Sequence, residues 1–139
     1  MKTSLILYLI ALAIFLPADL LWIGVVARDF YRDGMGALMS DKPRMDVGLV
    51  FYALFLVGLV IFGMRAGVLA NDWKPALLWG ALFGFFCYAT YDLTCLAVMK
   101  DYSTKLALVD LAWGTIISGV TSALAVVIGR ALLGDLSAQ

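Results

Sequence analysis

The sequence predicts an all-α membrane protein: a four-transmembrane-helix bundle with a short interfacial segment between helices 1 and 2. Three observations lead there. Hydrophobic residues make up 64% of the 139 residues, charged residues only 14%, and the mean hydropathy is +0.99; a soluble domain is usually about 45–50% apolar and about 25% charged. Four apolar stretches have the length, near 20 residues, that crosses a bilayer as a helix. The longest connection between them, residues 28–46, is rich in charge.

The first span is expected over residues 5–27. Lys2 precedes it, as in a signal peptide, but the run is too long and LPADLLW is a poor cleavage site. Pro17 is placed to bend it by freeing the carbonyl of Ala13. In the connection that follows, Tyr31, Met35, Leu38 and Met39 fall on one helical stripe, while Gly34, Gly36 and Pro43 oppose a long helix. A short segment lying in the membrane interface fits this pattern. The second span is expected over residues 47–64, with residues 65–74 as a short connection. Pro75 suits a first helical turn, which starts the third span at 75–99. Ser103 and Thr104 are natural N-caps for the fourth, 104–133. At this length the chain, residues 1–139, reads as a single transmembrane domain.

The composition also excludes functions. Lys plus Arg and Asp plus Glu balance at 10 each, so no basic face invites nucleic acid. There is no His and no Glu; all ten acids are Asp. That removes imidazole catalysis, His-ligated haem and the usual zinc sites, and no cofactor is predicted. Cys87 and Cys95 stand eight residues apart, about 12 Å along one helix and too far for a disulfide. GALFG at 80–84 is a small-xxx-small motif that favours close helix approach, within the chain or between copies. Trp73, Trp79, Tyr102 and Lys105 sit near span ends as interface anchors. The side carrying the first and third connections holds Arg28, Arg32, Lys42, Arg44, Lys100 and Lys105; the other holds Lys2, Arg65, Lys74 and Arg130. The positive-inside bias then puts the first side in the cytoplasm and both termini outside.

Three acids lie inside the spans: Asp19 in FLPADLLWIG, Asp92 in ATYDLTCLA and Asp110 in LVDLAWGTI. An ionisable residue in a bilayer is costly and points to function. Counting helical rise from the span ends puts all three roughly 10 Å below the same membrane face. Phe51 and Tyr52 occupy that layer in the second span. By helical periodicity Asp19 shares a face with Trp22, Asp92 with Tyr88 and Cys95, and Asp110 with Trp113 and Gly114. Two of the acids have Trp at i+3, as DLLW and DLAW. No Lys or Arg lies at this depth to neutralise them. A lone buried carboxylate takes up a proton, and several together titrate as a set; otherwise a cation arrives from outside. Oxygen ligands suit a proton, Na⁺ or a divalent ion, and make Asp19, Asp92 and Asp110 the metal ligands if a metal binds. The competing reading is that each Asp bonds Thr90, Tyr91, Thr94 or Thr115 as helix glue, although such bonds average only about 0.6 kcal/mol in membranes.

DLLWIGVVARDFYR, GALFGFFCYATYDLT and VDLAWGT together resemble an uncharacterised family of small bacterial membrane proteins, a domain of unknown function with four helices. The resemblance runs from about residue 9 to 130. It implies a bacterial inner-membrane location and importance for Asp19, Asp92, Asp110 and the FYR of Phe30–Arg32; Cys95 stands where the family usually has Asn. It implies no reaction.

Three functions follow as expectations. The first is a pocket that binds, and in the fuller form transports, a small cation or cationic or polar molecule. Its walls are Asp19, Asp92, Asp110, Trp22, Trp113, Tyr52, Tyr88, Tyr91 and Thr94. Four helices are few for a transport path, so a homo-oligomer is expected with it. The second is a membrane-embedded enzyme in which Asp19, Asp92 and Asp110 act as acid and base on a lipid or isoprenoid. The third is a structural or assembly subunit without a ligand.

Overall fold

The computed structural model describes residues 2–38, 42 and 44–138, leaving aside the side chain of residue 37. Among these the regular structure is helical throughout. Four helical runs are long and apolar enough to cross a membrane: Lys2–Val26, Met45–Ala70, Trp73–Val98 and Thr104–Leu133.

The first comprises α1 (Lys2–Leu21), which carries Pro17 inside it, and a π-turn over Trp22–Val26. The wide turn is closed by Ala27 N–H donating to the Trp22 carbonyl at 2.7 Å. Next comes α2 (Arg28–Met35), followed by one 3₁₀ turn, Gly36–Leu38. The expected stripe divides: Tyr31 is buried, Met35 half-buried and Leu38 exposed, while Met39 and Pro43 lie outside the described residues.

The second span is longer than the sequence predicts. Its α3 (Met45–Gly58) runs through a π-turn, Leu59–Met64, into α4 (Arg65–Ala70). Arg65 does not end it, because the following AGVL residues sustain a helix and only Asn71 turns left-handed, at φ 47° and ψ 37°. Asn71 Oδ1 also accepts from Leu136 N–H at 3.3 Å, tying this turn to the C-terminal segment. Asp72, unnoticed in the sequence, caps α5 (Trp73–Val98) by accepting from Lys74 N–H at 3.3 Å. α6 (Thr104–Leu133) starts where expected, with Ser103 Oγ accepting from Leu106 N–H at 3.2 Å.

α6 is the central helix. Half of its apolar window is buried, against 17 to 28% in the other three spans. Its buried face is mostly small, with Ala107, Gly114, Ser118, Gly119, Thr121, Ser122, Ala123, Ala125 and Gly129 set among Leu106, Ile117 and Val126. Lipid is as apolar as any side chain, so association rests on close packing, which small residues permit. A Cβ on Gly80 would stand 2.3 Å from Ser122 Oγ, one on Gly84 2.4 Å from Ser118 Oγ, and one on Gly114 2.2 Å from the Tyr88 ring. GALFG is therefore used inside the chain, against α6. The backbone of α3, by contrast, approaches α1 and stands away from α5 and α6.

Gly114→Val drives a side chain into the Tyr88 ring and is expected to destabilise the bundle by about 1–3 kcal/mol or more. Gly24→Ala, with nothing within 4 Å of the added carbon, is expected to stay within about 0.5 kcal/mol of the parent. Reversible unfolding in mixed micelles measures both.

Candidate functional site

Asp19 is 2% exposed and Asp92 1% exposed, while Asp110 is half-buried. Each accepts a hydrogen bond from an element other than its own. Trp113 Nε1 of α6 donates to Asp19 Oδ1 at 2.7 Å, and Tyr52 OH of α3 donates to Oδ2 at 2.6 Å. Tyr31 OH of α2 donates to Asp110 Oδ1. Tyr102 OH, from the α5–α6 turn, donates to Asp92 Oδ1 at 3.0 Å. The donors among the described residues are thus phenols and one indole, with no Lys or Arg.

The two tryptophans join these bonds. Trp22 and Trp113 stack with ring centroids 4.3 Å apart and planes at 9°. Trp22 Nε1 donates to the Tyr31 oxygen at 3.3 Å, and Tyr31 in turn holds Asp110. Each Trp of the DLLW and DLAW pair thus serves the carboxylate of the other motif, Trp113 directly and Trp22 through Tyr31. The π-turn starting at Trp22 brings α2 back over α6. There Gly34 lies so close to Leu106 that a Cβ would stand 3.1 Å from its side chain, and Lys105 Nζ sits 5.6 Å from the Phe30 ring centre.

A cavity of about 420 Å³ opens beside this network. Asp19 and Ile23 line it from α1, Tyr31 and Met35 from α2, and Asp110 from α6. α3 contributes Gly48, Phe51, Tyr52 and Phe55; α5 contributes Cys87, Tyr88 and Tyr91. Its rim residues Ile23, Phe51 and Tyr91 are exposed on the apolar outer surface. The opening follows from α3 standing away from α5.

This departs from the sequence expectation in four respects. Asp92 does not line the cavity. Trp22 and Trp113 form the wall's support rather than its lining. Thr94 is exposed on the outer face of α5, with Phe85, Phe86 and Leu93, because residues two apart on a helix point to opposite sides. Among the described residues no group of three Asp, Cys, Glu or His is placed to hold a metal ion, so Asp19, Asp92 and Asp110 do not form the three-carboxylate site the sequence allows. Thr90 and Thr115 are not partners of the acids either: each hydroxyl donates to its own helix, to the Phe86 and Leu111 carbonyls. Two of the donors, Tyr31 and Tyr102, lie outside the site the sequence predicts. The sequence places Tyr31 on an interfacial stripe and Tyr102 at an interface; a lone phenol in a charged connection is the signal available for Tyr31.

Burial, then the bond to Asp110, pushes the Tyr31 phenol well above the ordinary tyrosine value; burial, then the bond to Asp92, does the same for Tyr102. Both remain donors at neutral pH. Their stabilising contribution is present below pH ~10, the unfolded tyrosine value, and is lost only as pH rises through their higher folded values. In an alkaline phenolate titration, Tyr31→Phe and Tyr102→Phe are each expected to remove amplitude from the late end. Loss of amplitude near the ordinary value would show that these phenols are not held. Tyr31→Phe should also destabilise by about 1 kcal/mol, by stripping a donor from the half-buried Asp110 carboxylate.

Comparisons with curated proteins and with solved structures find no match. A family model described as "Predicted membrane protein (DUF2177)" matches residues 4–127, a range that contains all three aspartates and the residues bonded to them. The chain belongs to this DUF2177 family and is a membrane protein with four candidate spans.

Proposed function

We propose that this protein binds a small organic cation within the membrane, in the cavity between α1, α3, α5 and α6. One observation carries the reading. A hollow of about 420 Å³ is lined by two carboxylates, Asp19 and Asp110, and by no basic side chain. That volume falls within the range of small-molecule sites, which are mostly apolar with a few placed polar groups. A carboxylate in such surroundings is costly unless a positive charge or a proton accompanies it. An ammonium head supplies that charge.

The remaining lining fits the same ligand class. Tyr88, Tyr52, Phe51 and Phe55 present aromatic rings, whose faces attract organic cations by about 0.5–2 kcal/mol. The rim opens where Ile23 and Phe51 are exposed, so a molecule with an apolar tail enters from the hydrocarbon without crossing water. A bare divalent ion suits the lining poorly, since two carboxylates among aromatic rings supply few of the 6–8 oxygens that Ca²⁺ takes.

Dodecyltrimethylammonium is a suitable probe, with dodecyl sulfate as its anionic counterpart. With the protein in nanodiscs, calorimetric titration is expected to show saturable binding of the ammonium and not of the sulfate. Asp19→Asn and Asp110→Asn should each weaken it about tenfold or more, the loss of about 1.4 kcal/mol or more. Asp46→Asn, at an exposed pair with Arg44, should leave it unchanged. Equal affinity in the Asp19→Asn/Asp110→Asn double variant would overturn the reading.

A further inference from the structure

We propose that Asp92 and Asp110 share a single proton and form a buried acid pair whose outer member, Asp110, faces the cavity. The juxtaposition comes from helix register. α5 and α6 run antiparallel, and their contacts advance four residues at a time: Gly80 against Ser122, Gly84 against Ser118, Tyr88 against Gly114. The next step sets Asp92 against Asp110. The two side chains are thereby brought into hydrogen-bonding range.

An independent observation points to a proton between them. Asp92 Oδ1 accepts from Tyr102, but Asp92 Oδ2 is buried and has no donor among the described residues. Asp110 has Tyr31 on one oxygen. Two carboxylates offer only acceptors to each other, so a direct contact between them is stable when one proton bridges them. Such a pair titrates as a unit. A buried acceptor left empty costs about 1–3 kcal/mol, more when charged; the bridging proton satisfies it.

Among the described residues, the groups facing the pair supply no competing positive charge. Tyr102 approaches from the α5–α6 turn, Tyr31 from α2, Tyr91 and Tyr88 from α5 itself, and Asp19 from α1. The nearest basic residue along α6, Lys105, is exposed and lies over Phe30. Asp19 differs, because both its oxygens already have donors. The pair therefore holds one negative charge and one proton. Resting on the cavity reading above, a cation arriving at Asp110 makes the second charge favourable and releases that proton to the aqueous buffer.

Infrared difference spectroscopy of the full chain in nanodiscs tests the pair without any ligand. At neutral pH a protonated carboxylic acid C=O stretch is expected, absent from Asp92→Asn and from Asp110→Asn and retained in Asp19→Asn. Tyr102→Phe keeps the fold's other contacts and should shift the band's frequency while preserving its intensity, which covers the case of an Asp variant that does not fold. A parent spectrum without the band, or a band lost only in Asp19→Asn, overturns the shared proton. A second readout separates the two proposals. Addition of dodecyltrimethylammonium in weak buffer should release close to one proton per ligand bound. Binding without proton release overturns the coupling and leaves the cavity reading standing; the band without ligand binding sustains the pair and sinks the cavity reading.

Discussion

The structure depends on satisfying three carboxylates inside the spans with no basic partner bonded to them among the described residues. Each is met by phenol or indole donors that come from somewhere else in the chain: Tyr52 and Trp113 on Asp19, Tyr31 on Asp110, Tyr102 on Asp92. These bonds cross between spans 1 and 2, spans 1 and 4, and from both connections on one side into the bundle. The acids thereby specify how the elements meet. Neutral donors do not cancel a carboxylate's charge as a Lys or Arg would, and that is what the proposed cation requires.

The packing explains why the cavity lies where it does. α5 and α6 approach closely along Gly80, Gly84 and Gly114, and no space remains between them. α3 is held near the same depth through Tyr52 on Asp19 and through the ring contacts of Phe55 with Phe15 and Phe83, at 5.3 Å in both cases. Its first half otherwise leans on α1. The unfilled angle between α3 and α5 is the opening. The amphipathic α2 closes the end nearest the connection, fixed by Tyr31 beneath the stacked tryptophans.

Much of this was legible in the sequence. Helical rise alone predicts one depth for Asp19, Asp92, Asp110 and Tyr52, and Tyr52 does bond Asp19. The DLLW and DLAW motifs marked the two tryptophans that stack. What the sequence hid was azimuth. Asp92 continues the stripe Gly80, Gly84, Tyr88 that packs on α6, and of that stripe only Tyr88 reaches the cavity; the sequence shows the GALFG part of it as a packing motif and does not show which of Tyr88 and Asp92 meets the hollow. Thr94, two residues further, turns outward for the same geometric reason. Tyr31 and Tyr102 were out of reach because their roles depend on how connections fold back, which span periodicity does not encode. The second span ran past Arg65 because one charge near a membrane face does not stop a helix; Asn71, the only asparagine, did.

The most direct test of convergence is a structure of the protein with a bromine-labelled alkyltrimethylammonium, located by anomalous scattering. The expected result places the ammonium against both the Asp19 and Asp110 carboxylates, with the brominated tail passing between Phe51 and Tyr91 toward lipid. A bromine signal confined to the outer groove at Phe85–Phe86, or carboxylates of Asp19 and Asp110 turned away from a common hollow, would contradict it.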